Sequence, residues 1–216
     1  MSEPTGNGRP APAAPRLVLA TRNAGKLREL RELLRGQVPG LDVDTQVIDA
    51  ATAGAPDVVE SGTTFEANSL LKAREVAAVT GLVAVADDSG LAVDVLGGAP
   101  GIFSARWSGR HGDDEANLQL LLAQLADIPT AQRGASFVCA ATVALPDGTA
   151  QVTLGELRGS LLNEPRGSGG FGYDPILQPQ GLQVSCAELT PAEKNSISHR
   201  ATAFKALLPH LIEALS

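Results

Sequence analysis

The chain has 216 residues, 44% of them hydrophobic and 19% charged, enough for one domain with a substantial core. A formal net charge of −7 disfavours a general nucleic-acid or anionic-membrane surface, and no apolar run approaches the roughly 18 residues of a membrane span. Cys139 and Cys186 are too few for a disulfide framework or a zinc site, and the amino-terminal stretch lacks a signal-peptide core, so a reduced, soluble, cytoplasmic protein is expected.

Residues 1–15, rich in Pro, Gly and Ala, are expected to form a disordered tail, with a single domain over 16–216. Leu17 to Ala20 reads as a buried strand and Thr21 to Lys26 as the turn after it. Leu27, Leu30, Leu33 and Leu34 give helical spacing, stopped by Gly36 and Pro39. Leu41 to Ile48 alternates loosely and predicts a second strand, followed by a polar loop with Glu60-Ser61-Gly62. A helix is predicted over Phe65 to Thr80, closed by Gly81.

Val83 to Ala86 predicts a buried strand that delivers Asp87 and Asp88 to its carboxyl end, where open α/β sheets bind ligands. Ser89-Gly90 reads as a turn, with Leu91, Val93 and Val95 resuming a strand. Leu118, Leu121, Leu122 and Leu125 mark another helix, ended by Pro129. Ala135 to Leu145 and Ala150 to Leu157 form a hairpin across Pro146-Asp147-Gly148-Thr149. A glycine-dense loop, Arg166 to Pro175, precedes a last helix from about His199, with Ser198 as N-cap and an apolar stripe from Phe204 to Leu215. Strands mixed with helices, plus a late hairpin, give an α/β class with a mixed sheet.

Two places put cations where a helix start would ordinarily favour acids: Arg22 and Lys26, then Lys194, His199 and Arg200. A strand, a small-residue turn and a helix start make a natural phosphate site, although the Walker A pattern is absent. With Asp87, Asp88 and Glu60 as oxygen ligands for Mg²⁺, the pattern suggests a polyphosphate pocket with a metal. Phe171 and Tyr173, two of few aromatics, lie in a loop that looks too glycine-rich for core packing and offers a π-face to a nucleobase.

Five separated motifs then occur in order: Thr21-x-Asn23-x-x-Lys26, Glu60-x-Gly62-x-Thr64-Phe65, Asp87-Asp88-Ser89-Gly90-Leu91, Phe171-Gly172-Tyr173-Asp174-Pro175, and Ser198-His199-Arg200. On these the chain closely resembles the inosine triphosphate pyrophosphatase family over about Arg16 to Ser216. The resemblance implies a long mixed sheet flanked by helices, two lobes with a cleft between them, and a homodimer. It implies Mg²⁺-dependent hydrolysis of ITP, dITP and XTP to the monophosphate and pyrophosphate.

Carried onto this chain, Thr21, Arg22, Asn23, Ala24, Gly25 and Lys26 bind the triphosphate, and Asp88 accepts a proton near the metal. Glu60 helps to hold Mg²⁺ and Ser89 contacts substrate. Phe171, Gly172, Tyr173, Asp174 and Lys194 surround the nucleotide, and His199 with Arg200 reads the base. Lys26 and Lys194 would clamp phosphate oxygens. Protonated His199 and Arg200 would donate to a 6-oxo group but could not accept from a 6-amino group. One position departs from the family pattern: Ala67 stands where members often carry an acid, and the nearest acid, Glu66, is rotated by about 100° on a helix. Two other readings stay open, a Maf-like pyrophosphatase for modified pyrimidine nucleotides and a nucleotide-binding module without turnover.

Overall fold

The computed structural model describes residues 14–21 and 24–216. The expected tail thus lies outside the described residues up to residue 13, as do Arg22 and Asn23. Six strands form one mixed sheet in the order β2-β1-β3-β4-β5-β6: β1 Leu17–Leu19, β2 Val47–Asp49, β3 Val83–Val93, β4 Gly134–Ala144, β5 Ala150–Leu161 and β6 Leu177–Pro179. β1 runs parallel to β2 and β3, whereas β3 to β6 are antiparallel neighbours. Helices α1 Ala24–Leu34, α2 Val43–Gln46, α3 Phe65–Thr80, α4 Asp114–Gln124, α5 Pro191–Ile197 and α6 His199–Leu215 flank this sheet.

Local chemistry sets the predicted helix ends. Thr64 caps α3 by accepting from the Ala67 N–H, and Gly81 closes it at φ +68°, a conformation that glycine adopts without a Cβ penalty. Ser198 caps α6 by accepting from Ala201, and Gly148 turns the β4–β5 hairpin at φ +89°.

Three expectations change. The second strand shrinks to Val47–Asp49, because Asp42 accepts from the Asp44 N–H and starts the one-turn helix α2. Ser89-Gly90 is not a turn: β3 runs unbroken to Val93, since β4 pairs with it from Ala84↔Ala144 through Val93↔Ala135. The strand pattern resumed at Leu91 therefore ends before Val95, which lies in a 3₁₀ turn. Gly90 is small for a different reason: a Cβ there would lie 2.5 Å from Ser104 Oγ and 2.6 Å from the Gly101 carbonyl. The 3₁₀ segment Gly101–Arg106, β6 and α5 have no counterpart in the sequence reading.

The apolar core divides along β3. Val85 packs with α1, α2 and α6, while Ala84 and Ala86 pack with α3 on the other face. Leu91 and Val93 belong to a third cluster with α4, Phe137, Leu161 and Ile176. Asp87 to Gly90 lie between these clusters, a polar stretch of a strand otherwise lined by core.

Candidate active site

β1 ends at Leu19, opposite Val85, so the β1 side of β3 is open from about Asp87 onward. The chain leaving β1 passes this open edge: the Ala20 N–H donates to the Val85 carbonyl at 2.7 Å, and Thr21 leads to α1. Of the stretch expected to bind phosphate, Ala24, Gly25 and Lys26 form the first turn of α1, and Lys26 reaches the acidic pair at Asp87.

Successive strand residues point to opposite faces, and this separates the two carboxylates. Asp87 faces α1 and α6, where Lys26 Nζ reaches its carboxylate at 2.9 and 3.0 Å. Arg200 adds bonds to the same carboxylate from Nε at 3.3 Å and from its terminal NH2 nitrogen at 3.2 Å. Arg200 also pairs with Glu29 at 2.7 Å, so its guanidinium is engaged on both sides. Ser89, two residues along the same face, donates to Asp87 at 3.2 Å. Burial pushes the Asp87 carboxyl upward, but Lys26 and Arg200 outweigh it and hold the group far below the carboxylate range. Asp87 is therefore a buried ion-pair centre, on the face of β3 opposite to Asp88 and Glu60.

Asp88 faces α3. Asn68 donates to it at 3.1 Å, and Lys72 Nζ lies 3.7 Å from Asp88 and 2.6 Å from Glu60. Two carboxylates from separate segments thus converge on one cation, a geometry that suits a small hard cation held by one or two carboxylates plus phosphates. Burial raises the Asp88 carboxyl, opposed by Lys72, so Asp88 is the more basic of the pair. Burial alone would lower Lys72, but Asp88 and Glu60 raise it and keep it charged.

Asn68 and Lys72 were missed from the sequence. The available signal was their spacing, four residues apart on one face of a predicted helix, directed at the acidic strand. Gly62 supports them: its N–H donates to Asn68 Oδ1 at 2.8 Å, and a Cβ there would lie 2.7 Å from Ala67 Cβ. Position 67 therefore faces this loop, and Asn68, not Glu66, reaches Asp88.

A second group gathers around the glycine-dense loop. Phe171 is 59% exposed, and Lys194 Nζ stands 4.9 Å from its ring centroid while also pairing with Asp174. Lys194 thus belongs with the aromatic loop and not with Asp88. Tyr173 is the reverse of its expectation: it is 5% exposed, packs in the core, and donates its hydroxyl to the Ser104 carbonyl at 2.9 Å. Gly172 carries φ +60°, and Asp174 accepts from the Phe171 N–H at 2.8 Å.

His199 also departs from the reading of a protonated donor. The residue is 9% exposed, its ring stacks on Phe137 with centroids 5.1 Å apart, and its buried Nδ1 has no hydrogen-bond partner. Burial, then Arg200 and Lys194, lower its pKa to about 3, so the imidazole is neutral at physiological pH.

The Ham1 family model matches residues 17–210. The chain is 62% identical over 200 residues to a Streptomyces coelicolor protein named dITP/XTP pyrophosphatase, covering 93% of this chain and 98% of that one. It is 51% identical over 197 residues to a Mycobacterium tuberculosis protein of the same name, covering 91% and 95%. Among solved structures, a HAM1 protein from Coxiella burnetii superposes with a TM-score of 0.83 at 40% identity, over 93% of this chain and all of that one. A nucleoside-triphosphatase / dITP/XTP pyrophosphatase from Mycobacterium abscessus gives 0.75 at 49% identity, over 90% and 99%.

Proposed function

The chain belongs to the Ham1 family, and from that premise we propose that it hydrolyses dITP, XTP and ITP to the nucleoside monophosphate and pyrophosphate, with Mg²⁺. The observation that carries this reading is the convergence of Asp88 and Glu60 on the ammonium of Lys72. Family membership also sets aside the Maf-like and non-catalytic alternatives.

Water attacks the α-phosphorus in line, the bond to the bridging oxygen breaks, and pyrophosphate leaves. Asp88 takes the water's proton, a role that suits a carboxylate raised by burial and steadied by Asn68. Glu60 and Asp88 would hold Mg²⁺, whose chemistry is to neutralise charge on the phosphate oxygens. Lys72, set between Asp88 and Glu60, would turn to a phosphate oxygen once a cation takes up those carboxylates, while Lys26 is held by Asp87 on the other face of β3. Phe171 gives the purine a π-face. His199, a neutral imidazole at the amino end of α6 with an unpartnered Nδ1, would supply one N–H donor to a 6-oxo group, while Arg200, paired with Asp87 and Glu29, holds that helix end in place. The family resemblance further supports a homodimer in the cytoplasm; among the described residues no helix is long and apolar enough to cross a membrane.

The test is pyrophosphate release across a nucleotide panel, with and without chelator, for the parent and Asp88→Asn. ITP and XTP should exceed ATP in kcat/KM by at least about 10²-fold, since a site built on hydrogen bonds rejects a mismatched partner strongly. Chelation should abolish turnover, and Asp88→Asn should lower kcat by about 10²–10⁴. Equal rates on ATP and ITP, or parental turnover in Asp88→Asn, would overturn the reading.

A further inference from the structure

Phe171 poses a physical problem. Its ring is 59% exposed, so no core packing sets its direction, and the next residue is a glycine at φ +60°. Glycine loses more conformational freedom on ordering than any other residue, so a ring carried beside it should wander unless the backbone is tied. Three ties exist. Asp174 accepts from the Phe171 N–H at 2.8 Å, and Tyr173 donates to Ser104. Asp114 Oδ2 accepts from the Gly172 N–H at 2.9 Å, across 58 residues of sequence.

Asp114 is not needed as the cap of α4. Asp113 holds that position and accepts from the Ala116 N–H at 3.2 Å. Asp114 is an exposed side chain that nonetheless fixes the freest backbone unit of the aromatic loop. It acts from the same stretch of chain as Ser104, whose hydroxyl accepts from the Leu91 N–H at 2.9 Å at the end of the acidic segment of β3. We propose that Asp114 is a positioning residue for base recognition: by holding Gly172 it presents Phe171 to the purine ring. The proposal rests on the reading of Phe171 as the base platform.

The ordinary alternative is an acid at a helix start, which acts through its charge on the dipole. The two roles separate chemically. Asp114→Asn keeps an oxygen acceptor for Gly172 and loses the charge, whereas Asp114→Ala loses both. With dITP as substrate, Asp114→Ala should raise KM about three- to tenfold, the range of one hydrogen bond, with kcat changed by less than about twofold. Asp114→Asn should restore the parental KM. Inhibition by inorganic tripolyphosphate, which has no base to stack, should be the same in all three. In a Phe171→Ala background the effect of Asp114→Ala on KM should vanish. The proposal fails if Phe171→Ala raises KM but Asp114→Ala does not. It fails equally if Asn behaves as Ala, if tripolyphosphate inhibition weakens in step with KM, or if the shift survives without Phe171. Should Phe171→Ala leave the dITP KM unchanged, the platform reading itself falls and takes the proposal with it.

Discussion

The buried imidazole of His199 makes a prediction that can be worked in numbers. Its pKa falls from 6.5 to about 3, chiefly through burial and then through the charges of Arg200 and Lys194. Between those values the unfolded chain binds a proton at this side chain and the native protein does not. The contribution to stability is therefore complete above the unfolded pKa, and it is lost as pH falls from about 6.5 toward 3, at about 1.4 kcal/mol per unit. From pH 7.5 to 4.5 the loss should reach about 2–3 kcal/mol. His199→Phe keeps an aromatic ring against Phe137 and removes the titration, so it should lack this increment. The other titrating groups are common to both proteins and cancel in the difference. The assay is urea unfolding of parent and variant at the two pH values, with His199→Gln as a second variant in case Phe overfills the site. Equal pH dependence in the parent and both variants would refute the neutral imidazole and return His199 to the role of a protonated donor.

Two further outcomes follow from the packing around it. Asp87→Asn should destabilise the fold by about 3 kcal/mol, because removing one partner of a buried ion pair strands the other and Arg200 keeps only Glu29; a urea midpoint close to the parent's would show that Asp87 is no ion-pair centre. Gly155→Ala should cost about 3 kcal/mol or more, since its Cβ would overlap the His199 carbonyl and lie 2.5 Å from the Ala203 nitrogen, both of them backbone; thermal unfolding at the parental temperature would mean that α6 can lift off β5 freely.

The parts of the fold that were legible in the sequence are those decided within a few residues. Thr64 and Gly81 bound α3, Ser198 begins α6, and Asp147-Gly148 turns the hairpin, each through chemistry that the local sequence displays. What escaped reading was decided across the chain. Ser89-Gly90 has the composition of a turn, but ten successive pairings with β4 keep it extended, and the space at Gly90 is claimed by Ser104. Tyr173 sits in a loop dense with glycine, and only a carbonyl 69 residues away explains why it folds inward. Lys72 was hidden because a lysine on a helix is ordinarily a solvated side chain, and its spacing from Asn68 becomes a signal only once that helix face is set against the acidic strand.

The sharpest correction comes from one register. Taken as a turn at a strand end, Asp87 and Asp88 look like a pair of ligands for one ion; kept in a strand, they serve opposite faces. The consequence is an asymmetry of charge. On the face of α1 and α6, Lys26 and Arg200 balance Asp87 and Glu29. On the face of α3, Asp88 and Glu60 share the single ammonium of Lys72 and leave one negative charge over. A triphosphate brought to that face adds like charges, each pair at contact distance opposing binding by about 4 kcal/mol at the effective dielectric of a protein surface. Lys72 cannot offset this alone, since it is already committed to the two carboxylates. A divalent cation arriving with the phosphates would reverse the sign of the balance and free Lys72 for a phosphate oxygen. The Mg²⁺ dependence proposed above would have its physical origin in this local excess of carboxylate over ammonium; Asp87, though adjacent in sequence, lies outside that balance because Lys26 and Arg200 already neutralise it.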